Sequence, residues 1–221
     1  RECLTLEAFV EPRSLGAVYS NLGAVLYESG ELDAGESNET AAIEIYMFSG
    51  KPMNLSIAWC HVAMVQLQKD DLTRAWEACE RSISFARQDD YRRGLAMGEL
   101  IRAEIFARRG DGSEARAALE SAFRQFSNLN IEEGLNYEFA GRVVRLIGNR
   151  DESIRYLEKG ISISAEFPMA LAGLHVELAR SLATSDPVGA KHMAEKAEEI
   201  FRACEAPLRS CAAKMLAKSI A

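Results

Sequence analysis

The stretch SNLGAVLYESGELDAG, Ser20 to Gly35, sets the fold of this chain. It reads as a helix as far as Ser29, yet glycine stands inside it at Gly23, at its break at Gly30 and just beyond at Gly35. An interior glycine costs a helix about 1 kcal/mol relative to alanine. A chain that keeps one has a use for the missing side chain, and recurrence is the test of that use.

The end of the stretch, GELDAG, has counterparts in DDLTRA (Asp70 to Ala75), GDGSEA (Gly110 to Ala115), GNRDES (Gly148 to Ser153) and, more weakly, SDPVGA (Ser185 to Ala190). The small residues that close them are Gly35, Ala75, Ala115, Ser153 and Ala190, at spacings of 40, 40, 38 and 37. Twelve positions before the first four stand Gly23, Ala63, Ala103 and Gly141, all small, with Ala179 in the corresponding place before the fifth. Eight positions after the first four stand Ile43, Ile83, Phe123 and Ile161, all bulky. The repeating unit is therefore a pair of antiparallel helices, each with a small residue in its interior where the two approach. Gly23, Gly35, Ala63, Ala75, Ala103, Ala115, Gly141 and Ser153 are the expected packing residues. A lone hairpin cannot bury both of its apolar faces, so the hairpins must stack.

The pattern predicts first helices over 14–29, 54–69, 92–109, 132–147 and 168–184, and second helices over 32–48, 72–88, 113–127, 151–166 and 187–203. The repeats fall at about 14–50, 53–89, 91–129, 131–167 and 168–204, in a single domain over 1–221. Residues 206–221 read as a capping helix. Residues 1–10 read as the end of a preceding helix whose partner is missing, as in a piece of a longer array.

Composition narrows the function. Apolar residues make up 48% and charged residues 27%, enough for a packed core. No Val/Ile/Thr-rich alternating run is bounded by turns, which argues against a sheet. The net charge of −7 disfavours nucleic acid and anionic membrane as direct partners, since both reward lysine and arginine. No apolar run approaches the roughly 18 residues of a membrane span. The five cysteines, Cys3, Cys60, Cys79, Cys204 and Cys211, lie in apolar stretches without a Cys-x-x-Cys motif, and predict buried free thiols in a reducing, cytoplasmic compartment. His61, His175 and His192 have no metal-ligand spacing. No phosphate loop or nucleophile elbow is present. The expectation is a non-enzyme, with no catalytic residues, no metal and no cofactor.

These residues resemble the tetratricopeptide repeat (TPR). The resemblance rests on Tyr19, Leu22, Gly23, Leu26, Gly30, Gly35 and Ala42 in the first unit, and on Trp59, Val62, Ala63, Ala75, Cys79 and Ser82 in the second. It continues with Ala103, Phe106, Gly110, Ala115, Leu119 and Ala122, then Tyr137, Gly141, Val144, Gly148, Ser153, Leu157 and Gly160. The period near 40 exceeds that family's usual value of about 34. It is similar to the longer repeats of large bacterial signal-transducing regulators, which join such a sensor to ATPase and DNA-binding modules, and to those of eukaryotic adaptor proteins. The resemblance implies an all-α fold, a right-handed α-solenoid of stacked hairpins, whose first helices line a concave groove for a protein or peptide.

Carried onto this chain, the family's groove positions include Asn21, His61, Met64, Gln68, Glu104, Arg108, Arg142, Arg145 and Arg180. The arginines suit an acidic segment of a partner, because guanidinium forks match carboxylates. The competing reading pairs them with Glu104, Glu138 and Glu177 along and between helices. The role expected is a binding scaffold or sensor segment of a larger cytoplasmic regulatory protein, in signal transduction or transcription regulation. The alternatives are a receptor whose groove admits a small effector or signal peptide, and a self-association module forming a homodimer.

Overall fold

The computed structural model describes residues 12–49 and 51–220, and every regular element among them is helical. The helices are α1 (Pro12–Ser29), α2 (Leu32–Ser49), α3 (Pro52–Gln68), α4 (Leu72–Gln88), α5 (Arg92–Arg109), α6 (Gly112–Asn128), α7 (Gly134–Leu146), α8 (Arg150–Ile163), α9 (Pro168–Leu182), α10 (Pro187–Ala203) and α11 (Pro207–Ser219). Contacts divide the chain into one unit that ends at Ile105 and a second that begins at Phe106. In the first unit, α1 pairs with α2 and α3 with α4. In the second, α7 pairs with α8, α9 with α10, and α11 packs on α10. The expected end of a preceding helix at 1–10 lies outside the described residues.

The boundaries have local causes. All five prolines stand first in a helix, where a missing N–H costs nothing and the fixed φ suits the first turn. Asp71, Asn149 and Asp186 cap α4, α8 and α10 by accepting from Arg74 N, Glu152 N and Gly189 N. The turns that close four hairpins share one construction. A residue with positive φ stands at Gly30, Asp70, Gly110 and Gly148. The next amide then reaches back five residues, from Glu31 to Leu26 O, Asp71 to Gln66 O, Asp111 to Phe106 O and Asn149 to Val144 O, at 2.8–2.9 Å. Helix α8 stops at Ile163, short of the expected 166. The fully buried Ser164 turns in against Gly134 there, and its carbonyl accepts from Phe167 N.

In two of the pairs the small residues lie where the helices meet. A Cβ added to Gly35 would stand 3.2 Å from the carbonyl oxygen of Gly23, so α1 and α2 touch backbone to backbone. In the second unit the same contact is made by a hydroxyl, as Ser153 Oγ donates to Gly141 O at 2.7 Å. Ala63, Ala75, Ala103 and Ala115 are completely buried. Gly23 and Gly141 also make room for a side chain four residues beyond the partner's small residue. A Cβ on Gly141 would lie 2.5 Å from Leu157 Cγ, and one on Gly23 would lie 2.8 Å from Glu39 Oε1. Bulky residues fill the remaining space, with Leu67, Ile83 and Leu100 in the first unit and Phe139, Leu157, Leu174 and Phe201 in the second.

The expectation of buried thiols holds for Cys60 and Cys79 but not for Cys211, which is exposed, or Cys204, which is half-buried. The reason is positional. Cys211 belongs to α11, and no further helix covers its outer face among the described residues. Cys3 lies outside the described residues.

Two substitutions separate packing from backbone strain. Gly23→Leu should lower the unfolding free energy by about 1–3 kcal/mol, because the new side chain enters the space held by Glu39. Gly110→Ala meets nothing within 4 Å but keeps φ near +89°, and should cost about 1 kcal/mol through backbone strain alone. Urea denaturation of both variants checks the order.

Candidate functional site

Each unit buries a carboxylate against the first helices of its hairpins. In the first unit, where Glu104 of α5 is completely buried, one such group is Glu39 of α2, completely buried as well. Ser20 of α1 donates to its Oε2 at 2.9 Å, and His61 Nδ1 of α3 lies 2.7 Å from its Oε1. Burial pushes the Glu39 carboxyl above its ordinary range, and His61 and Ser20 only partly offset that. Three helices therefore meet on one group. Glu39 takes the repeat position that Cys79, Leu119, Leu157 and Ala194 occupy elsewhere, all of them buried.

In the second unit the group is Glu177 of α9, 2% exposed. Arg142 Nε of α7 donates to its Oε1 at 3.2 Å and Arg145 Nη2 to its Oε2 at 2.9 Å. Arg180, one turn along α9, donates to Oε1 at 2.5 Å. Arg142 Nη2 also donates to Glu138 of its own helix. Burial alone would raise the Glu177 carboxyl. The guanidinium groups of Arg142, Arg180 and Arg145 overcome that and hold it down at about 2. Three guanidinium groups thus converge on the Glu177 carboxylate. Arg145 Nε stays buried without an acceptor, and the Arg180 side chain is 48% exposed.

The predicted groove residues divide between the units. Asn21 and Gln68 are exposed on α1 and α3, and Gln68 Nε2 donates to Tyr27 Oη at 3.4 Å. Met64 is 6% exposed and Glu104 is completely buried, so both are interior in the first unit. Arg108 is half-buried in the second unit. The structure brings Arg142, Arg145 and Arg180 together, and it does so on Glu177 and Glu138, the partners that the competing sequence reading named. Arg142 is 7% exposed and is committed to holding α7 to α9.

The sequence reading passed over Glu39. A usable signal was present, since Glu39 is the one carboxylate in a column of apolar or small residues. Other polar ties between neighbouring repeats were also not singled out. In the first unit Lys69 bridges Asp33 and Glu36 at 2.5 and 2.7 Å. In the second, Arg116 of α6 forks onto Glu152 of α8 at 3.1 and 2.7 Å. No group of acidic, His and Cys side chains that could hold a metal occurs among the described residues. No described helix is long and apolar enough to cross a membrane.

Glu177 gives the second unit a defined acid dependence. Its carboxyl falls from 4.5 to about 2 on folding, so its contribution is complete above pH 4.5 and disappears as pH falls toward 2. The size is about 3 kcal/mol. Glu177→Gln should remove that dependence and, by leaving three arginines around a neutral group, destabilise the unit by roughly 3 kcal/mol at neutral pH. Urea midpoints measured from pH 7 down to 3 should converge for the two proteins.

No protein-family model matches the chain, and no curated protein matches it. Solved structures do. A thermophilic TPR protein of Thermus thermophilus matches with a TM-score of 0.60 at 19% sequence identity, over 90% of this chain and 99% of that one. A Podosopora anserina protein with nearly identical TPR-like repeats matches with a TM-score of 0.52 at 14% identity, over 86% of this chain and 96% of that one. A variant of the same protein gives the same TM-score over 89% and 99%. At these identities the likeness is one of fold, and the fold of this chain is that of a TPR-type helical repeat.

Proposed function

We propose that the chain is a non-enzymatic scaffold that binds a protein or peptide segment, and that the face formed by α7 and α9 in the second unit takes an acidic stretch of that partner. The observation that carries this reading is the guanidinium cluster on Glu177. It gathers three guanidinium groups on one buried carboxylate, with Arg142 also reaching Glu138. Arg180 is half-exposed and Arg145 keeps an unmatched buried donor. An incoming carboxylate would be met by charge-assisted, forked hydrogen bonds whose geometry Glu177 has already fixed. Arg142 serves as the positioning residue. A place for the chain in a larger cytoplasmic regulatory protein is proposed on the resemblance of its long repeats alone.

The test is binding of short fluorescein-labelled peptides rich in glutamate, set against lysine-rich and neutral peptides of equal length, read by anisotropy. The glutamate-rich peptide should bind, and binding should weaken as salt rises. Replacing both Arg145 and Arg180 by Glu should reduce affinity about tenfold or more. Equal affinity for all three peptides, or an unchanged affinity in the double variant, overturns the proposal.

A further inference from the structure

The first unit buries Glu39 without giving it a fixed cation. Its Oε2 accepts from Ser20 Oγ of α1 at 2.9 Å, and its Oε1 lies 2.7 Å from His61 Nδ1 of α3. The Glu39 side chain is completely buried, whereas that of His61 is 28% exposed. Helices α1 and α3 pack on α2, and their described residues bring no lysine or arginine to Glu39. Lys69 of α3 is held by Asp33 and Glu36, and Glu28 of α1 and Glu44 of α2 are exposed. The Cys60 thiol of α3 and the Tyr46 hydroxyl of α2 are both pushed up, first by burial and then by Glu39. His61 and the exposed Gln68 stand seven residues apart, on one stripe of α3. The outer edge of the His61 ring, Nε2, therefore lies toward the α1–α3 face, where no described residue bonds it.

A carboxyl oxygen and a ring nitrogen at 2.7 Å share a hydrogen. If Glu39 is ionised and the ring neutral, Nδ1–H donates and Nε2 keeps a lone pair. If Glu39 is protonated, its O–H donates to Nδ1, its other oxygen accepts from Ser20, and the neutral ring carries its hydrogen on Nε2. Burial favours the protonated carboxyl, which places no charge in the interior, over both the lone carboxylate and an ion pair. We infer that Glu39 and His61 form a proton-linked hydrogen-bond switch, in which the buried carboxyl sets whether the exposed edge of His61 donates or accepts. While Glu39 keeps its proton, Nε2–H is a donor for a ligand's carboxylate. Once the proton is lost, Nε2 presents a lone pair backed by a buried negative charge, and a carboxylate is repelled. This site belongs to the first unit and stands without the α7–α9 arginines.

The test is a pH titration by NMR of protein labelled with 15N in histidine and 13C in the glutamate carboxyl. As pH rises, Glu39 Cδ and His61 Nε2 should move in one step with a common midpoint. In Glu39→Gln, which assigns the Glu39 signal, the Nε2 step should fall to lower pH, because an amide cannot hold the proton. Sodium acetate, set against sodium chloride at equal ionic strength, is the ligand probe. It should shift the Nε2 resonance below the midpoint, and its apparent affinity should drop about tenfold or more above it. Replacing Arg145 and Arg180 by Glu should leave both results intact, which separates failure here from failure of the groove reading. Separate midpoints, or a Glu39 carbon that stays ionised throughout, overturn the inference, and the native protein alone decides both. An Nε2 step unmoved by Glu39→Gln, or acetate binding indifferent to pH or matched by chloride, overturns it as well.

Discussion

Two helices can approach to backbone contact only where neither puts a side chain in the way, and the hairpins are built around such points. Between α1 and α2 the point is Gly23 against Gly35; between α7 and α8 it is the Gly141 carbonyl under the Ser153 hydroxyl. The approach fixes how deeply the next side chain on the second helix can sink. Leu157 sinks onto Gly141 as an apolar plug, and Glu39 sinks onto Gly23 as a charged one. At Gly141 the glycine cost is offset by this depth, since the Leu157 side chain is completely removed from water; at Gly23 the depth instead carries the Glu39 carboxylate onto Ser20 and His61.

The buried carboxylates use that depth differently. Glu39 is met by neutral or weakly basic donors, so burial prevails and its carboxyl is raised. Glu177 is met by three guanidinium groups, so charge prevails and its carboxyl is lowered. The stability contributed at Glu39 is largest in acid and is lost as pH rises through its folded value, whereas that at Glu177 is lost as pH falls. Both groups tie one first helix to the next. Preorganised arginines and a fixed histidine follow from the packing of the array itself.

Much of the fold was legible because its signals are steric and periodic. Small residues at the crossings, a positive-φ turn just after four of the first helices and proline at five helix starts all leave marks on a single sequence. The end of α8 was not legible, because it depends on Ser164 meeting Gly134 thirty positions back. The site was legible in type more than in state. The pattern placed Arg142, Arg145 and Arg180 near one another, but not the near-complete burial of Arg142 or the meeting of all three on one oxygen pair. Glu104 and Met64 fell in the interior, because a one-residue rotation of a helix face exchanges groove for core, and the 40-residue period carries no information that fine. Glu39 shows the reverse lesson, that a break in a column of apolar positions marks a polar junction.

The hairpin turns and inter-repeat ties share one further property. The side-chain bonds described above join residues close in sequence; even Gln68 to Tyr27, linking α3 to α1, spans only 41 positions. A chain stitched at this range has low contact order and closes only short loops on the way to its native state. Each unit can therefore nucleate wherever a hairpin first forms and grow by one repeat at a time. Unfolding should follow the same grain, so that strain introduced at one ladder rung melts its neighbours before it reaches the far end.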